Sequence, residues 1–414
     1  MTSSADAPTT AKPPIERLPL WMILLAAAAV AGIGMGVRQS MGLYLKPVSL
    51  DLGLGREVFS LAIGIANIVW GISAPFTGAV ADKYGTGRVV IFGALTTALG
   101  ILTLWSATSE WHLMASGLLL GFGVAGAGIN AMVGAVGRAA KPEDRSAAIA
   151  FVGMGSGIGM LIAIPYAHGL IEVMGWKASL LVMAVTVLIM LPLAWTVSGK
   201  PQHAVAPGTK KQPAGEALKE AFAHPSFWLL NVGFFVCGFH VVFYATHLPA
   251  YVSDLQLEPW IAVAGLSAVG IGNLIGTYLS GQWGKRYSKR WGLSFIYVMR
   301  AVVFLGFLYA PINATTIILF SASLGLFWLS TVPLTSSLVA TFFGPTWMTM
   351  LYGIVFFFHQ VGSFLGVYMA GALFTATGSY DAMWWISVGL GLFAAAVHIP
   401  ISEKPVTRLQ AQPA

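Results

Sequence analysis

The feature that most constrains this chain is a series of apolar segments, each about twenty residues long, that recurs along most of its length. An α-helix of about 20 residues spans the hydrocarbon core of a bilayer. Because these segments are continuous and not alternating ten-residue strands, they predict a helical bundle instead of a β-barrel. We predict twelve spans, approximately at residues 18–44, 58–80, 89–107, 112–137, 146–172, 178–198, 226–252, 260–282, 291–310, 314–343, 347–376 and 381–401.

Composition and the placement of charge agree with a membrane protein. Of the 414 residues, 57% are hydrophobic and only 9% are charged, whereas about a quarter are charged in soluble proteins. The net charge of +7 raises nucleic-acid binding as an alternative. However, 17 of the 22 lysines and arginines fall on the side of both termini, and the other five are Lys46, Arg56 and Lys177 on the opposite side and Arg38 and Arg300 within spans. This bias predicts cytoplasmic termini, an inner-membrane location in a lipid bilayer, and no nucleic-acid partner.

The second half of the chain repeats the first at an offset of 203 residues. Asp51 returns as Asp254, and Gly175 returns as Gly378. Two such halves in parallel duplication place a cavity at their interface near the bilayer midplane, as alternating access requires. The expected organisation is a tail at 1–17, a six-helix bundle at 18–198, a polar linker at 199–225, a second bundle at 226–401 and a tail at 402–414.

Arg38 is the first candidate for a binding residue. It lies inside the first apolar span, in the stretch 34–46 that also holds Gly34, Gly36, Gly42 and Tyr44. A guanidinium within hydrocarbon is costly, so it is retained where it faces a protein interior or a wet cavity. The glycines leave room for a ligand or a closely packed helix. The structural alternative is a cation that snorkels to the interface.

Further polar residues interrupt the apolar spans. Cys237, His240, Tyr244, His247 and Tyr251 recur at steps of three and four and therefore share one helix face. The histidines could carry protons near physiological pH or donate to a carboxylate, and the alternative is helix-to-helix hydrogen bonding. Metal binding is disfavoured, because no second thiol or membrane-embedded carboxylate accompanies them.

Four other candidates lie elsewhere in the spans. Arg300 either binds an anion or is held by backbone carbonyls and hydroxyls, since no Asp or Glu is placed in the middle of a span to neutralise it. His359 and Gln360 are adjacent polar residues of the eleventh span, and Asn130 lies among the glycines of the fourth. The glycine-rich fourth and fifth spans indicate close helix packing, because no Gly-Lys-Ser or Gly-Lys-Thr follows that would make them a phosphate loop.

The turn after the second span is a candidate gating loop. It contains Gly78, Asp82, Lys83, Gly85 and Arg88. An acid and bases compressed into a short turn can pair with each other and with helix ends, and can hold one conformation. In the repeat Asp82 becomes Lys285. The two equivalent turns are therefore not expected to hold equally well.

This loop, together with the duplicated halves and the central linker, resembles the major facilitator superfamily, whose signature loop is Gly-x-x-x-Asp-Arg/Lys-x-Gly. The resemblance implies an all-α membrane protein of twelve transmembrane helices in two six-helix bundles that rock about a central site without a cofactor. Within the superfamily, residues 37–46 are similar to the monocarboxylate and oxalate/formate porter group. That group usually has an arginine in helix eight, where residues 272–278 of this chain carry no charge. Arg38 is therefore expected to act alone or with Arg300.

These features predict a secondary transporter for a small organic anion, in particular a carboxylate, with proton coupling left open. Arg38 would bind the anion, and the other candidate substrate-binding residues are Tyr44, Asn130, His240, Tyr244, His247, Arg300, His359 and Gln360. An exporter of hydrophobic or cationic drugs is the alternative within transport, and a non-transporting receptor or assembly scaffold is the alternative outside it. An enzyme is disfavoured, since no nucleophile and base or metal cluster stands out. We expect a monomer without cofactor or metal.

Overall fold

The computed structural model describes residues 18–129, 131–132, 135–136, 145–198, 212–344 and 347–410. Across these residues the regular structure is helical, without strands. The helices are α1 Leu20–Leu52, α2 Arg56–Tyr84, α3 Thr86–Trp105, α4 Glu110–Ala127, α5 Arg145–Leu188, α6 Met190–Thr196, α7 Ala214–Phe222, α8 Pro225–Asp254, α9 Pro259–Arg286, α10 Lys289–Tyr309, α11 Ala314–Leu326, α12 Thr331–Phe343, α13 Met348–Thr377, α14 Asp381–His398 and α15 Thr407–Gln410.

These helices account for the predicted spans. In the described part of the chain, ten helical stretches are long and apolar enough to cross a membrane. One of them contains both the fifth and the sixth predicted spans. Helix α5 runs from the fifth span into the sixth and changes direction at Gly175, where φ is 77°. Another corresponds to the tenth span and contains α11 and α12, which are separated by a break at residues 327–330. With α4 as the fourth span, the arrangement agrees with twelve membrane helices.

The internal repeat is also visible in the backbone. Gly53 and Gln256, which are 203 residues apart, both adopt the left-handed conformation, with φ of 63° and 56°. Gly175 and Gly378, the other pair at this offset, have φ of 77° and 72°. L side chains rarely adopt this conformation, which makes the positive φ of Gln256 at the position equivalent to Gly53 notable. The pair agrees with the duplication inferred from residue identities.

Small residues allow the helices to approach closely. A Cβ added to Gly159 of α5 would lie 2.1 Å from the carbonyl oxygen of Gly32 of α1. In the same way, a Cβ on Gly126 of α4 would lie 2.8 Å from Gly93 Cα of α3. The close packing predicted from the glycines of the fourth and fifth spans is therefore confirmed, since any side chain there would separate the helix backbones.

In the described part of the chain, the main contacts between the two halves are α1 with α8, α2 with α13, and α5 with α9. Helix α1 lies close to α8 at Gly42, where an added Cβ would overlap the Ala245 carbonyl oxygen. Within the predicted linker, residues 214–222 form α7, and Trp347 Nε1 donates to the carbonyl oxygen of Gln212 (2.8 Å). The described end of the linker is thus attached to the second half.

Candidate functional site

Arg38 lies on α1 and its guanidinium is half-buried between α1 and α2. Its Nη1 donates to Gln39 Oε1 (2.9 Å) and its Nη2 donates to Asn67 Oδ1 (2.8 Å). The Trp70 ring lies beside it, with its centroid 5.2 Å from Arg38 Cζ. Asn67 Nδ2 in turn donates to the Ile63 carbonyl oxygen (2.8 Å), which directs the amide oxygen towards Arg38. The cation is therefore held by neutral amide oxygens and an aromatic ring.

A cavity of about 40 Å³ lies against this guanidinium. Its wall comes from α1 to α4 in the first half and from α8 in the second half, so it is at the interface between the halves. This volume holds about three water molecules. A larger ligand would require the helices to separate. The polar side chains in the wall are Arg38, Gln39, Asn67, Trp70, Thr97 and Thr246, and the remaining wall is apolar.

The electrostatic character of this cavity follows from its lining. Among the described residues that line it, Arg38 carries a charge and none is an Asp or Glu. Charged side chains inside a membrane protein are costly unless a partner compensates them. An anionic ligand would supply that compensation, and a carboxylate fits the planar guanidinium fork.

The predicted stripe on α8 makes hydrogen bonds to neighbouring helices. His240 Nε2 is 2.9 Å from the Ser387 carbonyl oxygen of α14, and the Tyr244 hydroxyl bonds to the Ser321 hydroxyl of α11. His247 uses both ring nitrogens, since Nδ1 is 2.9 Å from the Tyr380 hydroxyl and Nε2 is 3.0 Å from a carbonyl oxygen of α13. These three residues are buried outside the cavity wall. Of the two interpretations of the stripe, this geometry favours helix-to-helix bonding.

Arg300 is fully buried and binds the break between α11 and α12. Its Nε donates to the Phe327 carbonyl oxygen (3.0 Å), and its Nη2 donates to the Trp328 carbonyl oxygen (2.6 Å). On the other side of the break, Leu329 N–H donates to Asn273 Oδ1 (3.1 Å). Backbone groups freed within a membrane need such partners. Between the two alternatives for Arg300, its contacts favour the ring of carbonyls over the anion site.

The remaining candidates are absent from the described wall of the cavity. The Tyr44 hydroxyl is 3.0 Å from Ser179 Oγ, within the first half. His359 Nδ1 is 3.0 Å from Gln360 Oε1, and the His359 ring stacks on Phe356 at 5.5 Å between centroids. These contacts place Tyr44, His359 and Gln360 in the helix packing around the site. Asn130 lies outside the described residues.

The gating loop is described in its backbone and in part of its side chains. Gly85 separates α2 from α3 with φ of 94°, and Gly78 has open space where a Cβ would be. Arg88 is exposed and lies over the Tyr84 ring at 6.0 Å. The side chains of Asp82 and Lys83 lie outside the described residues. The proposed role of this loop as a latch stays a prediction.

At the end opposite the termini, ion pairs connect the two halves. Asp254 of α8 receives Arg56 Nη1 and Nη2 of α2, each at 2.6 Å, and Lys46 of α1 lies 3.4 Å from the same carboxylate. Arg56 Nη1 also donates to the Tyr380 hydroxyl (3.0 Å). A bidentate arginine–carboxylate pair has both charge and a fixed geometry. This cluster of Lys46, Arg56, Asp254 and Tyr380, which we call the distal latch, closes that end.

Sequence reasoning identified Arg38 but missed Gln39, Asn67 and Trp70 around it. An amide in the middle of an apolar span is itself a signal, because intramembrane polar residues mark functional or packing sites. Asn67 and Trp70 are three residues apart and so share a face of α2. That spacing could have identified both. It could not have shown that the face meets Arg38.

Comparison with known proteins agrees with this arrangement. The chain is 26% identical over 392 residues to monocarboxylate transporter 13 of Rattus norvegicus, covering 92% of this chain and 88% of that protein. It is 24% identical over 409 residues to the oxalate:formate antiporter of Oxalobacter formigenes, covering 94% of each. Both matches span both halves.

A solved structure shares the fold. It is a bacterial homolog of the human lysosomal transporter Spinster, in an inward-facing and occupied conformation, with a TM-score of 0.70 and 14% identity over 95% of this chain and 98% of that one. The sequence profile of the Major Facilitator Superfamily matches residues 22–367. The duplicated helical halves, the cavity between them and this match together show that the chain belongs to the major facilitator superfamily of membrane transporters.

Proposed function

We propose that this protein is a secondary transporter that moves a small organic anion, specifically a carboxylate, across the cytoplasmic membrane by alternating access. The observation that carries the proposal is the Arg38 guanidinium, which lies on the wall of the cavity between the halves without a carboxylate among the described lining residues. The names of two relatives, a monocarboxylate transporter and an oxalate:formate antiporter, support an anionic substrate.

The geometry suggests how binding is coupled to movement. The first half supplies the cation, and the second half supplies the facing wall through Val242, Ala245 and Thr246 of α8. A carboxylate bound to Arg38 compensates its charge, which lowers the cost of enclosing it between the halves. The loaded site can then close and reopen on the other side of the membrane, which is the movement that alternating access requires.

The other functions considered fit the cavity less well. An exporter of cationic drugs needs a negative group at its site, and the described wall carries a positive one. A receptor or scaffold would bind its ligand without moving it. Net uptake into proteoliposomes separates a transporter from a receptor, and an imposed pH gradient separates proton-coupled movement from simple anion exchange.

The test compares variants of Arg38 in proteoliposomes loaded with carboxylates. Arg38→Lys keeps the charge but loses the planar fork, so substrate affinity should fall about tenfold, and Arg38→Gln should reduce it further. Arg286, an exposed cation at the end of α9, offers matched controls. Arg286→Lys and Arg286→Gln should leave affinity unchanged.

The result that contradicts the proposal is equally specific. If Arg38→Lys and Arg38→Gln both inserted normally and retained wild-type carboxylate affinity, Arg38 would not bind substrate. The preference for an anion would then lose its physical basis. An Arg38 that only anchors α1 near the interface would give this result, because it would contact lipid headgroups and not the substrate.

A further inference from the structure

Trp70 carries a polar group that the packing of the protein leaves unused. It lies on α2, one turn beyond Asn67, and only 4% of its surface is exposed. Its indole Nε1–H has no hydrogen-bond partner among the described residues. A buried donor without an acceptor destabilises the fold. Because this group lies in a cavity wall, a bound ligand could supply the missing acceptor.

Two contacts fix the position of this ring. On one side the Arg38 guanidinium carbon is 5.2 Å from the ring centroid. On the other side Phe356 of α13 meets it edge-on, with 5.0 Å between centroids. The ring is thus held between the cation of the first half and a helix of the second half, and it forms part of the cavity wall.

We propose that the Trp70 indole N–H donates a hydrogen bond to the same anionic group that Arg38 binds, which makes Trp70 a second substrate ligand. This inference rests on the proposed function. Arg38 Nη1 and Nη2 each give one hydrogen to an amide oxygen, of Gln39 and Asn67, and each retains another. An ionised carboxylate has about four lone-pair sites, so it can accept from the guanidinium and from the indole together.

The chemistry of this pair selects the ligand. A guanidinium and an indole N–H are donors only, so they favour a group that is an acceptor only. An ionised carboxylate meets this condition. An ammonium group has no acceptor and would leave the indole unsatisfied, and a protonated acid would bring an O–H donor towards the guanidinium and indole donors.

The indole resonance provides a direct test. In ¹⁵N-tryptophan-labelled protein, the Trp70 signal is identified by its loss in Trp70→Phe. On titration with sodium acetate, with sodium chloride as the ionic-strength control, its N–H proton should move downfield as it acquires an acceptor. Trp384 is a matched reference, because its Nε1 is also buried without a partner among the described residues but it packs among aromatic rings of the second half.

Affinity for acetate gives the second measurement. Trp70→Phe keeps an aromatic face beside Arg38 and removes the donor, so acetate should bind about tenfold more weakly. Trp384→Phe makes the same change in size and should leave binding unaltered. Thermal unfolding without ligand checks that both variants fold, and a similar midpoint for the two excludes a general packing defect.

The outcomes separate this inference from the proposed function. If acetate bound in an Arg38-dependent manner while the Trp70 signal stayed fixed and Trp70→Phe kept full affinity, Trp70 would be a packing residue and the transporter proposal would stand. If neither acetate nor any carboxylate in the uptake assay bound to the wild-type protein, both the proposed function and this role of Trp70 would be wrong.

Discussion

At the scale of single residues, the site depends on how Arg38 is held. Two neutral amide oxygens, from Gln39 and Asn67, orient the guanidinium without cancelling its charge. Both amides are buried, with 3% and 2% of their surface exposed. A carboxylate partner would also have oriented the guanidinium, but it would have occupied the place of an anionic substrate. Because amides hold Arg38 instead, its positive charge remains available to an anion.

Asn67→Asp tests this reasoning with little change in shape. The new carboxylate would pair with the Arg38 guanidinium and take the place of an anionic substrate. Carboxylate affinity should fall by more than tenfold, as isothermal titration can measure. Asn67→Ala removes the contact without adding charge, so its carboxylate affinity should fall less. Equal losses in the two variants would show that Asn67 acts through packing alone.

At the scale of helices, hydrogen bonds of polar residues connect the spans. Hydrophobicity alone cannot decide which helix faces meet, because the lipid is as apolar as the protein interior. The bonded residues of the α8 stripe reach several neighbours: His240 bonds to α14, Tyr244 to α11, and His247 to α13 and to Tyr380, the residue before α14. Such bonds orient packed helices in a bilayer. The stripe is thus explained by the neighbours of α8, without a role in the cavity.

The pH response of uptake tests this explanation. In His240→Gln and His247→Gln, the shape of the uptake profile between about pH 5.5 and about pH 7.5, the range around the ordinary histidine pKa of about 6.5, should match the wild type. Each replacement should lower thermal stability, because a buried hydrogen bond is disturbed at a cost of about 1–3 kcal/mol. Loss of the pH response in either variant, with normal folding, would assign proton transfer to that histidine.

The break between α11 and α12 makes a separate prediction about Arg300. Arg300→Met leaves the carbonyl oxygens of Phe327 and Trp328 without their donor, so the unfolding midpoint should drop markedly, at about 1–3 kcal/mol for each group. Arg300→Lys retains a donor, so its unfolding midpoint should drop less. Carboxylate affinity, measured on the protein that still folds, should be unchanged in both variants. A large loss of affinity in Arg300→Lys would restore Arg300 as a substrate ligand.

At the scale of the whole molecule, the distal latch connects the two halves at the end opposite the termini. Its charged members come from both halves, with Lys46 and Arg56 in the first and Asp254 in the second. The pair formed by Asp51 and Lys177 at the same end is contained within the first half. A bond that crosses between the halves must break when they rock apart, so we expect the distal latch, unlike the pair of Asp51 and Lys177, to couple to conformation.

Labelling with a membrane-impermeant maleimide tests this coupling. The natural Cys237 is buried and can be replaced by Ala, and Thr246→Cys then reports access to the cavity. Asp254→Asn should raise the labelling rate from the side opposite the termini several-fold. Asp51→Asn is the matched control, because Asp51 is the repeat equivalent of Asp254 and pairs within one half. Equal labelling in the two variants would show that the distal latch does not hold the closed state.

The sequence by itself determined the features that arise from local chemistry. Apolar segments long enough to cross a bilayer require helices, because unpaired backbone groups are costly in lipid. The offset of 203 residues predicted two equivalent halves, and the positive φ angles of Gly53 and Gln256 agree with it. Arg38 was identified as a candidate because a cation within the membrane is energetically costly and marks a functional site.

The tertiary structure alone decided which way each polar residue faces. In a membrane protein the lipid is as apolar as the core, so the outward and inward faces of a helix carry no amphipathic pattern to distinguish them. For that reason the sequence indicated the α8 stripe and Arg300 as candidates and did not indicate Asn67 and Trp70. The partner of Arg56 is 198 residues away along the chain, and only the docking of the two halves brings Asp254 to it.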